Sequence, residues 1–110
     1  EACARRLVSD LLQARRRAIA SGDDHYVRFV RGRGSEYTGY TVYRDASGRD
    51  IAVTEPREFD AGVTVTASGD RPRFDFSGAA DANYTFTFAG TRTWQVEVVP
   101  STGAVRVAER

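Results

Sequence analysis

From Ala4 to Ala20 apolar residues recur every three or four positions: Ala4, Leu7, Val8, Leu11, Leu12, Ala14, Ala18 and Ile19. Arg5, Arg6, Ser9, Gln13, Arg15, Arg16 and Arg17 fill much of the remainder, so the spacing predicts an amphipathic helix with one apolar stripe. Ser21-Gly22 followed by Asp23-Asp24 supplies a glycine stop and a polar exit, and the Arg cluster near the C-terminal end suits the negative pole of the helix dipole. The helix is expected to end near Gly22.

Beyond Gly22 the period falls to two. His25 to Val30 and Tyr37 to Tyr43, rich in Val, Tyr, Phe and Thr, read as two antiparallel strands joined by Arg31-Gly32-Arg33-Gly34-Ser35. The turn composition Asp45-Ala46-Ser47-Gly48 leads into a short third strand at Ile51-Ala52-Val53, after which Pro56 breaks the pattern. A second group of strands is expected at Val63 to Ala67, Arg73 to Phe76, Tyr84 to Phe88, Trp94 to Val99 and Ala104 to Val107. The last two should form a hairpin through Pro100-Ser101-Thr102-Gly103. Alternation in Val63-Thr64-Val65-Thr66, Tyr84-Thr85-Phe86-Thr87-Phe88 and Trp94-Gln95-Val96-Glu97-Val98 gives this second sheet one wet face. One helix followed by seven to eight short strands, with no βαβ alternation, predicts an α+β fold. Its N-terminal amphipathic helix (residues 1–22) packs on the antiparallel β-sheets of a β-rich head (residues 23–110), the two together making a single domain.

Composition narrows the function more than the fold. The 110 residues suit one core, and the formal charge of +1, from 16 basic residues that are all Arg and 15 acidic ones, provides no overall field for nucleic acid or an anionic membrane. Residues 1–22 hold five Arg against Glu1 and Asp10, a local surplus of +3, while residues 23–110 carry a balance of −2. Cys3 stands alone, so an internal disulfide is excluded, and it reads as a small apolar helix residue. No run of about 18 apolar residues occurs.

The residue types that do chemistry are sparse. His25, beside Asp24 and Tyr26, has no second His and only a remote Cys, which leaves no nucleophilic triad and no zinc set. The carboxylates at Asp23-Asp24, Glu55, Glu58 and Asp75 fall on turns and polar strand positions and read as solvated surface. Asp45-Ala46-Ser47-Gly48-Arg49-Asp50 faintly resembles a calcium loop but is too short and contains an Arg; a hairpin turn is the expectation. Arg31-Gly32-Arg33-Gly34 precedes no helix and lacks phosphate-loop spacing. Aromatic residues interleave with Arg along the strands, as in single-strand-binding sheets, but the basic surplus lies on the helix and alternation sends most of the rings inward. No catalytic residue, metal or cofactor is expected.

The order of these pieces resembles the GspH/FimT family of minor pilins and pseudopilins over nearly the whole chain, from about Ala4 to Val107. Leucines followed by Ala14-Arg15-Arg16-Arg17-Ala18-Ile19 are similar to the family's A-R-x-x-A-I half-helix. Phe74-Asp75-Phe76-Ser77-Gly78 resembles its F-x-x-x-G region, and Trp94 to Val98 with Ala104 to Val107 resembles its closing hairpin. The resemblance implies a non-enzymatic filament subunit of a type II secretion pseudopilus or type IV pilus, with other such subunits as partners. It implies packing through Leu7, Leu11, Leu12 and Ile19, which also serve to cover the domain's own sheet. It further implies a cleaved leader and an upstream apolar half-helix, opening F-T-L-x-E, that anchors the subunit in the inner membrane with its head in the periplasm. Some members bind DNA through a G-R-x-R closing segment. Here Gly103-Ala104-Val105-Arg106 replaces its first Arg by Ala, so Arg106 and Arg110, with Glu109 between them, form at most a weak contact. DNA uptake is the alternative reading.

Overall fold

The computed structural model describes residues 2–32, 36–60 and 62–110. A single helix α1 (Ala2–Ser21) precedes β1 (His25–Arg31), β2 (Tyr37–Ala46), β3 (Arg49–Ala52), β4 (Arg57–Glu58), β5 (Thr64–Ala67), β6 (Arg73–Phe74), β7 (Tyr84–Ala89), β8 (Thr93–Val98) and β9 (Val105–Glu109). Gly22 stops the helix at φ 77°, its amide donating to the Ala18 carbonyl at 3.0 Å. The last turn holds no basic residue, so the expected dipole role of the Arg cluster is not how it acts. Arg15 instead donates through Nε to the Gly78 carbonyl at 3.0 Å, tying the helix to the loop after β6.

Both sheets are antiparallel. One has the order β3-β2-β1-β6 with β4 also paired to β2, and the other runs β5-β7-β8-β9. The β2–β3 hairpin turns on Ser47-Gly48, both at positive φ, with Asp45 Oδ1 accepting the Gly48 amide at 3.0 Å. The calcium-like segment is therefore a hairpin turn.

The strand grouping expected from the sequence needs two corrections. Arg73-Phe74 does not belong to the second group; it crosses back to pair with β1, placing Phe74 opposite His25 and Arg73 opposite Tyr26. This strand stops after two residues because Asp75 turns the chain, its Oδ1 accepting the Ser77 amide at 2.9 Å and the Ala79 amide at 3.3 Å. Phe76 leaves the strand and is 67% exposed. The second correction is β4, which forms directly after Pro56. Gly39 permits it: a Cβ there would overlap the Arg57 carbonyl oxygen, so only glycine lets the two backbones approach.

The core lies where α1 and the two sheets meet. Leu7, Leu11, Ala14 and Ala18 bury one helix face against Val27, Phe29, Tyr40 and Val42 of the first sheet and Phe86, Val96 and Val98 of the second. Phe29 and Phe86 stack at 4.8 Å between ring centres and join the sheets directly. Not all rings point inward. Tyr26 and Tyr43 occupy the alternate face of β1 and β2, stacked on each other at 5.4 Å, with the guanidinium of Arg28 4.6 Å above Tyr43 and that of Arg73 5.5 Å from Tyr26. The cations cover rings that strict alternation would leave wet.

Candidate assembly surface

The helical stripe divides into two rows. Leu7 and Leu11 are completely buried in the chain's own core. Val8 and Leu12, one position further round, are half-buried, and with Val107 of β9 they floor a groove of about 290 Å³ rimmed by Arg5 and Arg16. Ile19 is 47% exposed, the tip of its side chain resting beside Gly78, whose positive φ of 88° favours glycine. The four residues singled out in the sequence thus fall into a buried pair, a half-buried neighbour and a solvent-facing end.

The third row of α1 holds a polar group inside the fold. Asp10 is 6% exposed and accepts hydrogen bonds from the Tyr40 hydroxyl at 2.6 Å and from Arg57 Nε at 3.3 Å. Burial and the adjacent carboxylate push the Tyr40 hydroxyl far above its usual range, so it remains a proton donor. This contact ties the middle of α1 to β2 and β4.

The chemistry-bearing side chains elsewhere are occupied by structure. His25 is buried, its Nδ1 placed 3.1 Å from the Asp23 carbonyl, and burial holds its imidazole below the usual pKa. An open pocket beside it includes Ser21 and Arg44, but the Ser21 hydroxyl donates to the Arg17 carbonyl and Arg44 pairs with Asp23 at 2.7 Å. Asp24 and Asp45 both bind Arg73. Arg31 lies over the Tyr37 ring, while Arg33, Gly34 and Ser35 of the glycine-rich connection fall outside the described residues. Among the described residues no three His, Cys, Asp or Glu side chains form a metal-binding group.

Arg106 and Arg110 lie on the same outward side of the closing strand. Arg106 faces Glu97 across the β8–β9 ladder, and the Arg110 guanidinium donates to Gln95 Oε1. Neither joins the groove beside α1.

The model of the family described as type II transport protein GspH matches residues 4–103, taking in α1 and every strand except β9. The chain belongs to the GspH family. Its fold agrees with that identification: the minor pseudopilin EpsH from the type 2 secretion system of Vibrio cholerae superimposes with a TM-score of 0.78 at 16% identity, covering 97% of this chain and 94% of that one. The type IV minor pilin FimU of Pseudomonas aeruginosa gives a TM-score of 0.77 at 15% identity, covering 97% and 86%. No curated protein matches by sequence. In this GspH-family chain the Asp10–Tyr40–Arg57 group was missed at the sequence level because a carboxylate counts as surface. Its spacing, three residues after Leu7 and four before Ala14, was the available signal.

Proposed function

We propose that this minor pilin or pseudopilin is a non-enzymatic subunit that assembles through α1 and its β head into a type II secretion pseudopilus or type IV pilus, at or near the tip. The observation that carries the reading is the excess of apolar surface on α1. Leu7, Leu11, Ala14 and Ala18 satisfy the head, yet Val8, Leu12 and Ile19 remain as a second row that a neighbouring subunit would cover. No described helix is long and apolar enough to cross a membrane; in this reading an apolar half-helix upstream of Ala2 anchors the subunit in the inner membrane and the head stands in the periplasm.

The test compares the rows in the full-length protein expressed in its host. Leu12→Asp and Ile19→Asp should leave the domain folded but remove it from sheared filaments, whereas Leu11→Asp should prevent folding. Normal incorporation of both outer-row variants would defeat the proposal.

DNA uptake is the second reading, supported by the shared outward face of Arg106 and Arg110 and weakened by Glu97 opposite the first. Titration with fluorescent double-stranded DNA at low and moderate salt tests it: salt-sensitive binding lost in an Arg106→Ala, Arg110→Ala variant supports DNA uptake, and absence of binding at low salt removes it.

A further inference from the structure

We propose that the open edge of β9 accepts an extended, acidic segment of another polypeptide as an additional strand of its sheet, whatever filament the subunit serves. β9 ends the order β5-β7-β8-β9, and among the described residues no strand pairs with its other side. The Val99 amide donates to the Ala104 carbonyl and the Arg110 amide to the Thr93 carbonyl. In the antiparallel register this assigns the bonds with β8 to Ala104, Arg106, Ala108 and Arg110. The amides and carbonyls of Val105, Val107 and Glu109 therefore point away from β8, in a row that an extended chain can match.

What lies beside that row selects the occupant. α1 runs along β9, and the Val8–Leu12–Val107 groove lies between them. Side chains on one face of an incoming strand would enter this apolar floor between Arg5 and Arg16, while its other face would lie beside Arg106, which has Glu97 across the ladder, and Arg110. Apolar residues alternating with Asp or Glu satisfy both. A second copy of this chain would bring its own Arg5, Arg16 and Arg106 against these, a like-charge meeting. A helix would leave the β9 amides without partners, and a nucleic acid would have no use for the apolar floor.

The probe is the peptide acetyl-VEVEVEV-amide, added to the isotope-labelled chain and followed by amide hydrogen exchange and NMR shifts. Its controls are a VKVKVKV peptide, a VEVPVEV peptide whose proline interrupts pairing, and a DNA duplex. Exchange at Val105, Val107 and Glu109 should slow about tenfold or more with the acidic peptide, and with none of the controls. Arg106→Gln, a surface change that leaves the fold's circular dichroism intact, should weaken binding about threefold or more. Absence of protection at those three amides, equal binding of the lysine peptide, equal binding to Arg106→Gln, or the same protection from DNA or from raising the protein concentration would overturn the proposal.

Discussion

The two sheets of this molecule solve the same problem in opposite ways. The four-stranded sheet buries one face and wets the other: along β7 the residues alternate strictly, with Tyr84, Phe86 and Phe88 inward and Thr85 and Thr87 outward. The five-stranded sheet buries one face and covers part of the other. Its inner side meets α1 through Val27, Phe29, Tyr40 and Val42, and its outer side is covered by Arg28 and Arg73 lying on Tyr26 and Tyr43. The cations thus protect the rings in the middle of that outer side, while Val30 of β1 and Ile51 of β3 stay about half exposed.

The most damaging test of the contrast is at the joint. Phe86→Ala removes the ring that stacks on Phe29, and should cost about 3–5 kcal/mol with both sheets unfolding in one urea transition. Two separate transitions would show that the sheets are independent. Next in size, Tyr26→Ala should cost about 2–3 kcal/mol although it changes an outer face, because Tyr26 is buried beneath cations. Thr85→Ala, on the outer face of the other sheet, should stay within about 0.5 kcal/mol in the same melts. Equal costs would abolish the distinction.

Gly39→Ala tests the pairing of β4 in the five-stranded sheet. The added Cβ would overlap the Arg57 carbonyl, so β4 must move off β2, at about 1–3 kcal/mol. Amide exchange should quicken at Phe59, whose amide donates to the Thr38 carbonyl, and stay unchanged along β7 and β8.

The same contrast explains what could be read from sequence. The Tyr84-Thr85-Phe86-Thr87-Phe88 run announced a one-sided strand because its period reports its burial. β4 and β6, each of two residues, carry no period, and the pairing of Arg73 with Tyr26 is decided by a distant part of the chain. Tyr26 is buried on the outer face because that pairing brings Arg73 over it. On α1 the stripe was legible but its division was not. Asp10, a carboxylate, lies inside the fold, and Ile19 continues the apolar spacing yet stays 47% exposed.

The smallest effect is the most specific to the face that Arg73 covers. Asp45 and Asp75 are both held below the usual carboxylate pKa, the first chiefly by its hydrogen bond from Arg73, the second chiefly by the Ser77 hydroxyl. A depressed carboxylate contributes stability that is complete above its unfolded pKa, about 3.9, and is lost as pH falls through the lower folded value. Urea midpoints should therefore drop as pH is lowered below about 4. Arg73→Gln should flatten the part of that drop due to Asp45 and leave the part due to Asp75. Asp75→Asn should do the reverse. Added salt should mimic Arg73→Gln in part, since the Arg73 pairs are partly exposed and screened, while the Ser77 turn is a local hydrogen bond that salt leaves in place. An unchanged acid limb in Arg73→Gln would mean that the cations on the outer face cover Tyr26 without holding the carboxylates around it.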